Sequence, residues 1–211
     1  MRKILFYLFV FVLTLLLTWQ DVHIGLILGI VFALSFLILI FPDLYMMFLE
    51  TRIDRLERYL LGQRAKPTVN LIYAMANKQD EEVEELYNLM LAKYKNKQRQ
   101  ALLICSYAAY KDQVSTVKDS VREIQSAAYR IYYETAILLE ERRPDEARAL
   151  AEQLTKPWMK HSILAEIELK AGNRNEAMRH AGEAMRTAKG AQRYVLYKHY
   201  ERELPEGLVR M

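Results

Sequence analysis

The chain opens on two long apolar runs and then changes character. Residues 4–19 (ILFYLFVFVLTLLLTW) and 24–41 (IGLILGIVFALSFLILIF) carry no charged side chain, and only Gln20, Asp21, Val22 and His23 separate them. Neither run has the polar stripe of a helix packed on a soluble core. A bilayer core about 30 Å thick needs roughly 20 apolar residues as a helix, with about 17 tolerated, so both runs sit near the lower end and the first is the shorter. No small-residue cleavage site follows the first run, and a second apolar run comes at once, which argues against a removable signal. The pattern predicts a two-span transmembrane hairpin over residues 1–42.

Polar residues then enter with helical spacing. From Asp43 to Leu61 the apolar positions Tyr45, Leu49, Ile53, Leu56 and Leu60 share one side, with acids and bases opposite. Pro42-Asp43 suits a helix start and Gly62 a stop. Residues 43–66 are therefore expected to form an amphipathic connector helix, lying at the membrane surface or packed on the domain after it.

Beyond residue 66 only helix-period segments occur, and they repeat. Val83, Val117, Ala147 and Ala177 come into register at separations of 34, 30 and 30. Four positions on stand Tyr87, Val121, Ala151 and Ala181; seven on stand Met90, Ile124, Leu154 and Ala184; twelve before stand Leu71, Cys105, Thr135 and Ala165. A period in the low thirties built from two helices signals stacked helical hairpins. In the fourth unit Ala165, Gly172, Ala177 and Ala184, with Leu164 beside the first, resemble the small and apolar positions of the tetratricopeptide (TPR) repeat. The first two units have Lys78 and Asp112 where that family places the turn glycine. The resemblance implies an all-α fold in which the hairpin is followed by a TPR-like α-solenoid over 67–211. A last helix near 191–203, bearing Tyr194, Tyr197 and Tyr200, is expected to cap the final unit.

Charge sets the orientation. Arg2 and Lys3 precede the first span, Arg52, Arg55, Arg58, Arg64 and Lys66 follow the second, and the connecting loop holds only Asp21. The positive-inside rule then places both termini in the cytoplasm of a bacterial-type inner-membrane protein. Gly25, Gly29 and Ala33 form a small-residue series along the second span, read as packing against the first span or as a homo-oligomer contact. No Asp, Glu, Lys, Arg or His lies within either span, which argues against transport. The net charge of +4 over 211 residues, without a basic run, gives no footprint for nucleic acid.

Chemistry-bearing motifs are missing from the sequence. His23, His161, His180 and His199 have no metal-ligand spacing, and no nucleophile–base grouping, phosphate loop or dinucleotide fingerprint is present. No cofactor, metal or enzymatic activity is expected. The lone Cys105 occupies a packing position, and the acidic run at Asp80–Glu85 suits a helix N-terminus. The TPR resemblance implies a partner groove lined by the first helices, which places Arg99, Ser106, Tyr110, Tyr129, Tyr132, Met159 and Glu166 in contact with a protein or peptide. The reading expected is a membrane-anchored scaffold or adaptor; the alternative is an accessory subunit of an integral membrane complex, engaged through the hairpin.

Overall fold

The structure, a computed structural model, describes the backbone of residues 2–208 and the side chains of 5–207. It is all-helical, with no strand among the described residues, and divides into two compact units at Leu49/Glu50.

The first unit holds α1 (Arg2–Trp19), α2 (Ile24–Ser35) and α3 (Phe41–Phe48). A π turn, Phe36–Ile40, joins α2 to α3, so one apolar helix runs from Ile24 to Phe48. The proline expected to end the second span is thus inside it. Pro42 cannot donate a backbone hydrogen bond, and the wider turn just before it, with the Phe41 amide donating to Phe36 O, lets the helix continue past the gap. At 25 residues this helix is long enough to cross a bilayer, and only 6% of its apolar window is buried. The apolar part of α1, Leu5–Trp19, is shorter than a usual span. The α1–α2 pair touches, joined by a turn with Asp21 in left-handed backbone. Thr14 and Thr18 donate to the carbonyls four residues back, which satisfies both hydroxyls within their own helix.

The expected connector helix is instead broken. The chain leaves α3 at Leu49 and re-enters helix only at α4 (Ile53–Gly62). Glu50 causes the break: its buried carboxylate accepts from the amides of Thr51 and Arg52 and from Arg55, turning the chain while capping the new start. Those bonds and the Arg55 charge hold the Glu50 carboxyl below its usual range against the opposing effect of burial. The apolar face of α4 does not remain free, because Leu56 and Leu60 are buried in the second unit.

The rest of that unit is a row of helix pairs. In order they are α5 (Pro67–Ala76) with α6 (Asp80–Lys93), α7 (Lys97–Tyr110) with α8 (Lys118–Arg122), α9 (Ala127–Glu140) with α10 (Pro144–Ala151), and α11 (Pro157–Lys170) with α12 (Arg174–Thr187). Pro67, Pro144 and Pro157 each sit at a first helical turn, where the missing amide costs nothing. The register read from sequence is the packing register. Of its sixteen positions only Val117 and Tyr87 are half-exposed; the other fourteen are buried. Each core cluster links a pair to the first helix after it, as Leu103 of α7 joins Leu71, Val83 and Met90.

The turns repeat as well. Lys78, Asp112, Arg142 and Gly172 have φ of 54°, 54°, 61° and 79°, at the same offset in each pair. In each, the next residue's amide bonds the carbonyl five back, as in Gln79 to Ala74 at 3.0 Å and Asn173 to Glu168 at 2.9 Å. This is the Schellman closure. Three units reach it without glycine, at the cost that a Cβ incurs in left-handed backbone. The second pair differs in its second helix, which starts as a 3₁₀ turn over Val114–Val117. Its β-branched residues disfavour regular helix, and Glu140 of α9 caps the opening amides of Val114 and Ser115 at 2.8 Å each.

Candidate functional site

The face made by the first helices of the pairs is where the TPR resemblance places a partner. In this chain the last helices, α13 (Gly190–Glu203) and the short α14 (Pro205–Leu208), change that expectation. α13 packs on α12, as a cap would, but it also packs on α4 and α5 at the other end of the row. Its entry is fixed by Gly190, whose φ of +58° turns the chain and whose amide donates to Glu50 O at 2.7 Å. Arg193 comes one turn later and caps the carbonyl end of α12 at Met185.

Tyrosines hold α13 in place. Tyr194 is fully buried, stacks on Tyr73 of α5, donates to Glu57 of α4 at 3.1 Å and accepts from Asn77 at 3.0 Å. Arg202 donates to the last carbonyl of α5, Ala76 O, at 2.7 Å. On the opposite side Gln192 comes beside Tyr129 of α9, and His199 meets Glu166 of α11 at 2.5 Å. Tyr200 lies fully buried in the cluster that contains Ala165, Ala181 and Leu196. Burial pushes its phenol well above the ordinary tyrosine range, and the nearby Glu166 and Tyr132 push it further.

The expected partner residues are therefore mostly engaged within the chain. Glu166 bonds His199 of α13, and Tyr129 lies beside Gln192 of the same helix. Tyr132 lies beside Ser162 and against Trp158, and burial raises its phenol too. Met159 is wholly buried, so it is a packing residue rather than part of a groove. Ser106 donates to Leu102 O and shares a 2.9 Å hydrogen bond with Tyr133. Tyr110 donates to Asp80 at 2.5 Å, with the Lys78 ammonium over its ring at 4.3 Å. Only Arg99 is classed as exposed among the seven. The small series of the first unit is placed differently: Gly25, Gly29 and Ala33 are all exposed, and a methyl added at Gly29 would meet nothing within 4 Å. Its packing therefore does not come from α1.

Two further features bear on chemistry. Cys105 is buried in the second core cluster, and burial pushes its thiol up to about 11, which keeps it neutral and unreactive at ordinary pH. His161 of α11 and His180 of α12 meet Nδ1 to Nδ1 at 3.0 Å, and Arg179 reaches His180 Nε2 at 3.0 Å. The guanidinium can only donate, so Nε2 is the acceptor and His180 carries its proton on Nδ1. That proton goes to His161 Nδ1. The sequence offered no sign of this pair, because its members are 19 residues apart on two helices joined only by the fold. Among the described residues no group of three or more His, Cys, Asp or Glu converges as a metal site.

Compared with protein families, curated proteins and solved structures, this chain gave no match.

Proposed function

We propose that the protein is a membrane-anchored scaffold: an N-terminal apolar hairpin inserts in the bilayer and the TPR-like helix row presents a protein-binding surface on the cytoplasmic side. The observation that carries the reading is the 25-residue helix Ile24–Phe48, apolar yet with almost none of it buried within its own chain, followed by a unit with its own buried core. The bases that follow it set the orientation, and the shorter α1 completes the hairpin with Arg2 and Lys3 on the same side. What supports the TPR-like reading is the shared register, the left-handed turn at the same place in every pair, and the buried alanines of the fourth pair. Fixing a domain at a surface concentrates its partner there without any new contact. No catalytic role is part of this proposal.

One observation favours the second reading, an accessory subunit engaged through its membrane segment. The face expected to hold a partner is covered by α13, whereas the Gly25–Gly29–Ala33 face is open. The two readings separate in one experiment. Partners are captured by crosslinking in native membranes with the full chain, and with a chain whose residues 1–49 are replaced by an unrelated membrane span. A scaffold recovers the same cytoplasmic protein with both. Loss of every partner on replacement defeats that reading and assigns the interface to the hairpin. Tyr129 and Tyr132 are unsuited as probes, since truncating them strips support from α13.

A further inference from the structure

The turns of the third and fourth pairs border a half-open cavity of about 430 Å³, within the roughly 300–1,000 Å³ that accommodates small ligands. Its floor is apolar: Leu139 and Ile167 are buried, and Pro144 and Ala171 continue the wall. Two cations, Arg142 and Lys170, stand at the mouth and are exposed. Neither side chain has an ion pair or hydrogen bond among the described residues.

Apart from the exposed Asp145, which follows Pro144, the acids nearby are engaged. Glu141 pairs with Lys118 and Arg143, Glu146 pairs with Arg143, and Glu168 with Arg148 and Asn173. Glu140, which also lines the cavity, has both oxygens on the amides of Val114 and Ser115. The lining thus carries two unpaired cations, Arg142 and Lys170, and one carboxylate, Glu140, whose oxygens are taken up by backbone amides, above an apolar floor. Arg142 moreover holds left-handed backbone, at the offset where the fourth pair has Gly172.

We propose that this cavity binds a carboxylate carried on a branched aliphatic body. The aliphatic part rests on Leu139 and Ile167, and the carboxylate lies at the mouth between Arg142 and Lys170. Arginine matches a carboxylate in two-point geometry, and lysine adds a compact charge. The site is separate from the face covered by α13 and stands whether or not the scaffold reading holds. A free branched-chain acid and the C-terminal residue of a peptide present the same chemistry, so the probes must tell them apart.

The test is methyl NMR of the full chain in lipid nanodiscs, following Ile167 and Ala171 during titration with 4-methylpentanoate, N-acetyl-leucine and the neutral N-acetyl-leucinamide. Saturable shifts are expected with both acids, and binding at least tenfold weaker with the amide. Tighter binding of N-acetyl-leucine identifies a peptide end as the source; tighter binding of 4-methylpentanoate identifies the free acid. Arg142→Gly and Lys170→Gln should each weaken the acids severalfold and leave the amide unaffected. Glycine suits the left-handed turn, so a loss with Arg142→Gly does not report unfolding, and the thermal midpoint checks this. Equal binding of acid and amide, indifference to both substitutions, or absence of any saturable shift overturns the proposal.

Discussion

Two sets of small residues, at similar helical spacing, have opposite surroundings. Ala165, Ala177, Ala181 and Ala184 are all fully buried, where α11 and α12 approach each other and α13. Gly25, Gly29 and Ala33 are exposed on a helix whose large apolar residues are exposed too, among them Leu26, Leu28 and Phe32. In the second unit a small side chain is a spacing device between helices of one chain. In the first, a methyl added at Gly29 meets nothing among the described residues, and one at Gly25 meets only its own cap, His23. An apolar face without a partner is unstable in water and ordinary in lipid, where small residues serve close helix contacts. Composition alone does not separate the two cases; burial does.

The largest effect is expected from making the buried set bulky. Ala181→Leu inserts three carbons where α12 already meets α11 and α13, and overpacking of this kind costs about 1–3 kcal/mol. Urea unfolding followed by circular dichroism should show the unfolding free energy falling by that amount, with the midpoint lowered accordingly. An unchanged midpoint would mean that the fourth pair is not closely packed.

Next comes the helix that closes the row. The Tyr200 hydroxyl is buried with no hydrogen-bond partner, a state that costs roughly 1–3 kcal/mol relative to a satisfied group. Tyr200→Phe keeps the ring and removes the orphan, so stability should hold or rise by about 1 kcal/mol. A clear loss would indicate a buried water bonded to that hydroxyl. Tyr194→Phe is the internal control, because that hydroxyl bonds Glu57 and Asn77 and its removal should destabilise.

The contrast between these tyrosines marks how far the sequence could be read. Local periodicity revealed the helix pairs, because each buried position repeats at fixed offsets from its turn. It even located the turns at Lys78 and Asp112, where glycine is missing, since the hydrogen bonds closing the helix outweigh the strain of a single left-handed residue. Periodicity could not reveal where α13 goes. The Tyr194–Glu57 bond spans 137 residues, and nothing within α13 marks α4 as its neighbour. The broken connector was hidden for a different reason: Glu50 reads as one more polar residue of a helix until its carboxylate is seen to cap the next. Of the residues expected to meet a partner, Glu166 instead meets His199 of α13 and Met159 is core, neither of which the local pattern could show.

A smaller, pH-dependent effect belongs to the His161–His180 pair in the same tightly packed hairpin. Burial lowers both histidines below their ordinary value of 6.5, with Arg179 lowering both further and Glu183, Glu168 and Glu176 acting the other way. Lys160 and Arg186 also oppose protonation of His161. Each nitrogen able to take a second proton already accepts a hydrogen bond, so protonation sets donor against donor. A group lowered in the fold binds its proton more tightly when unfolded. The stability it contributes is therefore complete above about pH 6.5 and is lost as the pH falls below it. Paired carboxylates such as Glu168 respond only further down, below the ordinary 4.5. Urea midpoints between pH 7.5 and 5 should decline, and the slope between 6.5 and 5 should shrink in His161→Gln. A decline of equal slope in the variant would remove the pair as its cause.

The smallest effect on the fold is expected where the comparison began. Leucine at Gly29 begins with a Cβ that meets nothing within 4 Å, and replacing glycine within a helix favours the helix by up to about 1 kcal/mol. The second unit, a separate compact body, should unfold at the same urea concentration as in the parent chain. Any consequence must then appear between molecules. With single cysteines introduced beside the face at Leu26 or Phe32 and Cys105 replaced by Ala, crosslinking between copies in liposomes should fall on Gly29→Leu if a second copy occupies this face. If crosslinking is unchanged while capture of integral membrane partners is lost, the occupant is another protein. If neither changes, the small-residue face faces lipid alone, and the likeness between the two sets ends at their spacing.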